Sequence, residues 1–417
     1  MLSVDEALAL VLAQCVTLPR REIALAEADG AILAEDVASD LDSPPYDKSV
    51  VDGYAIIAED LASGEASLVI LEEVVAGDVP TVAVERGTAT RIMTGAPMPP
   101  GADAVVMVER TEHRPHESQP QGATSLGRVV IRDAGVRAGR NILRRGTSLR
   151  AGDTVLRAGT QLRAAEIGLL AEVGRVRIQV ASRPTVAILP TGNELIEPHE
   201  TPAAGQIRNS NGLLLASAVR ADGGDPVVLP IARDNESDLR EKIARGLEND
   251  MLILSGGVSA GVLDLVPRVL ADLGVEQVFH KLNLKPGKPL WFGVARGRHR
   301  PTLVFGLPGN PVSSFVCAEL FVRPAIDHLC GRTGGGRQSK TARLETDYQQ
   351  RGDRHTFLPA IYRVGNDAIA RVAPVTWHGS ADLRGLTAAN ALVSLPAGDR
   401  LVKAGESVTV RLLGDSR

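Results

Sequence analysis

The chain has little of several residue types, and each shortage excludes a class of explanation. Its 417 residues include only three cysteines, Cys15, Cys317 and Cys330, whose spacing fits neither a disulfide framework nor a metal site. The eight histidines form no HxH or HxxxH pair of the kind that ligates metals. Aromatic residues make up 3% of the chain, so we expect cores built from Val, Leu, Ile and Ala.

The charge balance and the apolar runs exclude further partners. A formal net charge of −4 leaves no electrostatic footprint for nucleic acid. No apolar run approaches the roughly 18 residues that span a bilayer, and Asp5 and Glu6 stand where a signal peptide would be basic. We therefore expect a cytoplasmic protein without nucleic-acid or membrane partners. At about 100–200 residues per domain, the length predicts two to four domains.

Lysine is scarce as well, which makes one local cluster informative. Only seven of the 46 basic residues are lysine, yet Lys281, Lys285 and Lys288 fall within eight residues around the segment KPGKP. This segment lies between two glycine-rich motifs, SGGVSAG (255–261) and GLPGNP (306–311), each of which follows an apolar run. Glycine lets backbone N–H groups approach an anion, and a following helix adds its positive end. The pattern predicts a site for a phosphorylated ligand or an oxyanion; a solvated lysine turn is the alternative.

Changes in hydrophobic pattern predict several domains. Strand-like and helix-like runs alternate after about residue 181, which is typical of a mostly parallel α/β sheet with its ligand site at the C-terminal strand ends. In that region we predict a long helix over 312–329 with a kink at Pro324. One of the strands predicted in the inserted β module covers 81–86. Hydrophobic spacing also predicts an amphipathic helix over 3–17, a helix over 164–172 and a strand over 391–395. The predicted parts are an N-terminal helix within 1–21, a linking domain formed by 22–44 and 141–180, an all-β module over 45–140, an α/β domain over 181–330 and a β-barrel over 337–417.

Three carboxylates follow predicted strands of the α/β domain. Glu194 lies in PTGNEL, Asp234 follows the next strand, and Asp264 comes just after SGGVSAG. Parallel strands end at one edge of a sheet, so the three acids are expected together, and carboxylates beside phosphate are typical ligands of Mg²⁺. The alternative is that Asp234 and Asp264 cap the helices that follow them.

Other motif residues allow two readings. Gly309 permits a positive φ, and Asn310 could contact a ligand or cap the helix that begins after it. Asp52 and Thr94 lie in turns of the β module, where an aspartate is ordinarily structural.

Seven motifs in fixed order make the whole chain resemble the MoeA family, the molybdopterin molybdenumtransferases, which includes the C-terminal region of gephyrin and its plant counterpart. The motifs are SxxDGYA (49–55), TGAPMPxGADAVV (94–106), PTGNEL (190–195), NSN (209–211), SGGVSxG with a following Asp, KPGKP (285–289) and GLPGNPVSS (306–314).

The resemblance implies an elongated homodimer with four domains per subunit. It also implies that molybdate is inserted into adenylated molybdopterin with release of AMP, assisted by Mg²⁺. It implies catalytic roles for Asp52, Glu194, Asp234, Asp264, Lys285 and Lys288, the first reaching the partner subunit's site, and a metal site at Glu194, Asp234 and Asp264. The predicted ligand-binding residues are Thr94, Arg144, Gly192, Asn211, Ser255, Gly256, Gly257, Ser259, Gly261, Pro308, Gly309, Asn310, Pro311 and Ser380.

Two of these residues match the family pattern loosely. Leu143 and Thr147 depart from the family's pattern around Arg144, and the residues after Ser380 depart from the pattern there. Alternative functions are a dimeric scaffold of the gephyrin type and insertion of tungstate. A Rossmann dehydrogenase is disfavoured because no GxGxxG follows the first strand of the α/β domain. Candidate protein partners are the molybdopterin adenylyltransferase and the apo-molybdoenzymes.

Overall fold

The computed structural model describes residues 1–115, 125–257, 265–297, 300–332 and 339–414. Its first helix, Val4–Leu12, starts at the capping box formed by Ser3 and Glu6. This helix is shorter than the helical pattern of the sequence, because after Leu12 the backbone continues in tighter turns, with Cys15 N–H donating to the Leu12 carbonyl.

The linking region joins two segments that are far apart in sequence. Antiparallel pairs connect Arg20–Ala24 with Arg177–Ala181, Val37–Ala38 with Thr154–Leu156, and Lys48–Ser49 with Ile142–Leu143. One helix, Ala164–Glu172, covers their apolar cluster, as its pattern predicts. The β module is therefore inserted between two chains that remain hydrogen-bonded to each other at its base.

The inserted β module is a six-stranded sheet, with apolar residues on alternate positions packed into one cluster on each face. The predicted strand over 81–86 is wrong. The N–H groups of Thr81 and Val82 both donate to the Glu72 carboxylate, which holds this segment as a loop. In spatial order the strands are Ala104–Met107, Gly53–Ile56, Thr88–Ile92, Glu65–Val74, Arg128–Arg132 and Thr111–Arg114. Single 3₁₀ turns occur at Ala58–Leu61 and Val108–Arg110 in this module and at Leu25–Glu27 in the linking region.

The α/β domain contains a six-stranded sheet in which four neighbouring strands pair in parallel and the two strands at one end are added by antiparallel pairing. In spatial order these strands are Asp225–Val228, Thr185–Pro190, Met251–Ser255, Thr302–Leu307, Trp291–Ala295 and Val275–His280. Helices Glu236–Gly246 and Leu265–Asp272 cover one face; Ser210–Ala221, the residues 311–329 and the N-terminal helix cover the other. The predicted covered, mostly parallel sheet is confirmed.

The predicted long helix after GLPGNP is interrupted. It consists of Pro311–Cys317, a π-helical turn over Ala318–Val322, and Arg323–Leu329. Pro324 has no N–H to donate to the preceding turn, and a wider turn before it removes the need for that bond.

The C-terminal region closes into a five-stranded barrel, as predicted. Its strands are Ser339–Leu344, His355–Val364, Ala370–Pro374, Ala391–Leu395 and Ser407–Leu412, with a pair Tyr348–Gln350 and Arg400–Val402 and a short helix Leu383–Thr387 beside it. The two residues Leu284–Lys285 of the α/β domain pair in parallel with His355 and Thr356, so that the barrel is extended by one strand. Within the described residues, no helix is long and apolar enough to cross a membrane.

Candidate functional site

A cavity of about 650 Å³ opens where the parallel strands of the α/β domain end. Volumes of this size are typical of small-molecule sites, and the end of the strands is where open α/β sheets bind ligands. Its wall combines both glycine motifs with two residues from the C-terminal region. The lining residues are Thr191, Glu194, Leu195, Ile207, Arg208, Asn209, Ser210, Asn211, Ser255, Gly256, Gly257, Pro289, Pro308, Gly309, Asn310, Pro311, Ala381 and Leu383.

The turn after Ser255 requires glycine. Gly256 has a φ of +102°, and a Cβ on it would lie 2.6 Å from the carbonyl oxygen of Thr191. A Cβ added to Gly257, which has a φ of +64°, would lie similarly close to the Thr191 hydroxyl oxygen. The backbone therefore forms this part of the cavity floor, as the motif predicts. The predicted binding residues Ser259 and Gly261 lie outside the described residues.

Asn211 joins the two glycine motifs. Its side-chain amide donates to Ser255 Oγ at 2.8 Å and to the Gly309 carbonyl at 2.7 Å. The residue is only 9% exposed, and its Oδ1 has no hydrogen-bond partner in the part of the chain that the structure describes. The structure thus brings Asn211 and both motifs together as the sequence predicts, and leaves one buried acceptor at the cavity.

The GLPGNP loop contacts the C-terminal region. Asn310 does not cap the following helix with its side chain; instead its Nδ2 donates to Ser380 Oγ at 2.9 Å. The N–H of Val312 donates to the Ser380 carbonyl at 3.0 Å. Gly309 does not use a positive φ, contrary to expectation, because Pro308 and Pro311 and the extended Asn310 already turn the chain. Ser380 therefore fixes the C-terminal wall of the cavity to this loop.

The predicted acids differ in their surroundings. Glu194 is exposed and lines the cavity, and Gly192, with a φ of +145°, leaves room for its carboxylate. Asp234 accepts the Asn193 N–H at 3.1 Å and so connects the loops that follow two strands. It does not cap the helix that follows, because the cap is Asn235.

The described residues contain only two of the three acids of the predicted metal site. Asp264 lies outside the described residues, and the described residues contain no group of three His, Cys, Asp or Glu side chains suited to a metal ion. Glu194 and Asp234 have the oxygen chemistry that Mg²⁺ prefers, and both follow strands of the same sheet edge. This donor set fits the ion in chemical type.

The two lysines of KPGKP are exposed, but neither is among the residues that line the cavity. The turn between them is held tightly: a Cβ on Gly287 would lie 2.6 Å from Cys317 Sγ. Only Pro289 of this segment reaches the cavity wall. The structure therefore places Lys285 and Lys288 beside the cavity segment and outside its wall.

Asp52, Thr94 and Arg144 lie away from the cavity wall. Asp52 Oδ1 accepts both the N–H and the hydroxyl of Thr94, each at 2.7 Å, and the N–H bond in particular holds the pKa of the Asp52 carboxyl below its usual value. Arg144 donates to Asp47 at 2.6 Å. The expectation that Asp52 and Thr94 serve the site of a partner subunit stays a prediction.

Sequence reasoning missed Thr191 and Arg208. Thr191 is 2% exposed, and its hydroxyl, under the glycine turn, has no partner among the residues that the structure describes. Arg208 is the only cationic residue among the described residues that line the cavity. Both adjoin predicted motifs: Thr191 belongs to PTGNEL, and Arg208 directly precedes NSN. Their position within or next to these motifs was the sequence signal that could have identified them.

Comparisons with known proteins give the same assignment along the whole chain. The "MoeA N-terminal region (domain I and II)" matches residues 2–174, the "Probable molybdopterin binding domain" matches 187–328, and the "MoeA C-terminal region (domain IV)" matches 341–413. The chain is 34% identical over 417 residues to the molybdopterin molybdenumtransferase of Staphylococcus epidermidis, covering 99% of this chain and 95% of that protein.

Two further relatives agree. The molybdopterin molybdenumtransferase of a Nostoc species is 35% identical over 390 residues, covering 92% of this chain and 86% of that protein. The crystal structure of the MoeA protein of Pyrococcus horikoshii OT3 matches with a TM-score of 0.81 at 31% identity, covering 99% of this chain and 100% of that chain. The chain belongs to the MoeA family. It is a transferase of the molybdopterin molybdenumtransferase type, which acts in molybdenum cofactor biosynthesis.

Proposed function

We propose that this enzyme inserts molybdate into adenylated molybdopterin and releases AMP. The observation that carries the proposal is the cavity at the strand ends, where the Ser255–Gly257 turn, the GLPGNP loop and Ser380 are joined by hydrogen bonds. Backbone groups of such turns suit a phosphoanhydride, because glycine allows close approach of N–H donors.

The chemistry requires an anionic nucleotide and a tetrahedral dianion to meet. Water is consumed as the bond between the pterin phosphate and AMP is broken. Each molybdate oxygen that a pterin sulfur replaces leaves as water, taking one proton from the pterin thiol and one from an acid. Glu194, exposed on the cavity wall, is placed to exchange protons with those oxygens. Lys285 and Lys288 are exposed on the two sides of the turn that precedes Pro289 of the cavity wall, and they would attract both anions as point charges.

Magnesium would be held by Glu194 and Asp234, together with Asp264. When bound, the ion would neutralise phosphate oxygens of the adenylate. Asp234 already accepts one N–H, which leaves its second oxygen for such a ligand.

The enzyme is proposed to act as a homodimer in which Asp52 and Thr94 of one subunit complete the site of the other. Their position outside the cavity wall of their own chain agrees with this arrangement. Mixing Asp52→Ala with Lys285→Ala/Lys288→Ala subunits tests it, because a shared site restores one intact centre in a mixed dimer. Activity no higher than that of either variant alone would contradict the arrangement.

The proposed reaction is tested by incubating the protein with adenylated molybdopterin and either molybdate or tungstate, with and without Mg²⁺. We expect AMP release coupled to retention of metal by the pterin. A preference for tungstate over molybdate in this assay would support the tungstate alternative, and a preference for molybdate would exclude it. An absence of AMP release in every arm would contradict the proposal and favour a scaffold.

A further inference from the structure

Arg208 supplies the cavity with a positive charge, and no acidic side chain among the described residues forms a salt bridge with it. Its Nε donates to the Glu200 carbonyl at 3.0 Å, which orients the guanidinium. An arginine side chain carries five N–H donors, so the four on the two terminal nitrogens remain for another partner. Glu194 lines the same cavity, yet the two charges form no salt bridge within the described part of the chain.

The helix Ser210–Ala221 begins beside Arg208 and lines the same cavity. Asn209 caps it, its Oδ1 accepting the Gly212 N–H at 3.0 Å. The backbone N–H groups of Ser210 and Asn211 have no acceptor among the described residues. A helix N-terminus carries a positive partial charge, which adds to that of the neighbouring guanidinium.

Two buried side-chain atoms at this place also have no hydrogen-bond partner among the described residues. Asn211, 9% exposed, leaves its Oδ1 unpaired, and Thr191, 2% exposed, leaves its hydroxyl unpaired. Both residues line the cavity. Buried polar atoms in folded proteins are nearly always paired, so these two atoms indicate where polar groups of a ligand bind. The Thr191 hydroxyl can donate to an oxyanion, whereas Asn211 Oδ1 can only accept and suits an N–H or O–H donor of the same ligand.

Building on the proposed function, we propose that Arg208 and the N-terminus of the Ser210–Ala221 helix form an oxyanion subsite that binds a phosphate of the adenylated pterin. Arg208 thereby provides, inside the cavity, the positive charge for an oxyanion that the sequence pattern assigned to Lys285 and Lys288. Its planar donor fork suits two phosphate oxygens at once. Molybdate shares this chemistry, so the test includes both oxyanions.

The test compares Arg208→Gln, Arg208→Lys and Arg220→Gln with the unaltered protein in equilibrium binding of adenylated molybdopterin and, separately, of molybdate. Arg220 is the matched control, because it is an exposed arginine at the other end of the same helix. Removing it changes the net charge equally, at a distance of about 15 Å or more along the helix.

We expect Arg208→Gln to weaken binding of the adenylated pterin about tenfold or more, since a charge-assisted hydrogen bond is lost. Arg208→Lys should recover part of the affinity, because it keeps the charge without the fork. Arg220→Gln should bind normally. Thermal unfolding of all variants should match the unaltered protein, because both arginines are exposed.

A loss confined to molybdate would overturn the assignment of a pterin phosphate to Arg208 and would assign the metal oxyanion to it instead. Equal affinity of Arg208→Gln and the unaltered protein for both ligands would overturn the subsite and leave the proposed function intact. An equal loss in Arg220→Gln would overturn it as well, since the effect would then be general charge. Failure of the unaltered protein to bind either ligand would refute the proposed function itself.

Discussion

The close contact of the Ser255–Gly257 turn with Thr191 makes Gly256→Ala the most informative single substitution. At a φ of +102°, alanine costs about 1–2 kcal/mol. The added Cβ would also lie 2.6 Å from the Thr191 carbonyl oxygen, and such overpacking against backbone costs a further ~1–3 kcal/mol. We expect Gly256→Ala to lose about 2–5 kcal/mol of stability in all, and to lose ligand binding because the cavity floor shifts.

Two glycines of the same domain separate these contributions. Gly274 has a φ of +80° with no heavy atom within 4 Å of an added Cβ, so Gly274→Ala should cost only the backbone term of about 1–2 kcal/mol. Gly309 has no positive φ, and its nearest heavy atom would be 3.8 Å away. Gly309→Ala should therefore change stability by no more than about 0.5 kcal/mol.

The measurement is urea unfolding followed by tryptophan fluorescence. The chain has two tryptophans, and Trp291, 2% exposed, lies in the sheet of the α/β domain. In a Trp377→Phe background, carried by every variant, the signal reports that domain alone. Equal midpoints for Gly256→Ala and Gly274→Ala would refute the argument from close approach. So would a loss at Gly309 as large as that at Gly256.

Other contacts yield further predictions. Thr191→Val should leave stability unchanged or higher, because the buried hydroxyl has no partner within the described residues; a loss above about 1 kcal/mol in the same unfolding assay would contradict this. Asn310→Ala and Ser380→Ala should show a coupling of about 0.5–1.5 kcal/mol in a double-mutant cycle, and strictly additive effects would count against the bond. Thr94→Val should raise the pKa of Asp52 towards its ordinary value, measured by NMR titration, since one of two donors is lost. Because the native pKa is lowered, the stabilising effect of ionised Asp52 is complete above the unfolded pKa near 4 and declines only as the pH falls through the folded value. Activity between pH 5 and 8 should therefore not titrate with Asp52.

The sequence predicted the parts of the fold that depend on local pattern. Helix Ala164–Glu172 and strand Ala391–Leu395 were predicted with their observed bounds, because hydrophobic period and cap residues determine them. It also predicted that Ser255–Gly257 and the GLPGNP loop meet, because adjacent parallel strands end at one edge. Residues 81–86 have the composition of a strand, yet the N–H groups of Thr81 and Val82 donate to the Glu72 carboxylate and the segment is a loop.

The missing part of the site depends on tertiary placement. Arg208 is one of many arginines in the chain, and only the pairing of Ile207–Arg208 with Leu195–Ile196 brings it to the cavity. The lysine turn was a strong local signal, yet its anchoring on Cys317 and on the barrel keeps both lysines off the wall. Ala381 and Leu383 contribute through an interface between domains, about which a local pattern carries no information.

The parallel pairing of Leu284–Lys285 with His355 and Thr356 has a mechanical consequence. The barrel and the lysine turn share one set of backbone hydrogen bonds, so the barrel cannot swing relative to the α/β domain without carrying Lys285 with it or breaking those bonds. Ala381 and Leu383, which belong to the same C-terminal region, line the cavity. A shift of this region as a unit would therefore move the cavity wall and displace Lys285 together, as long as the pairing holds.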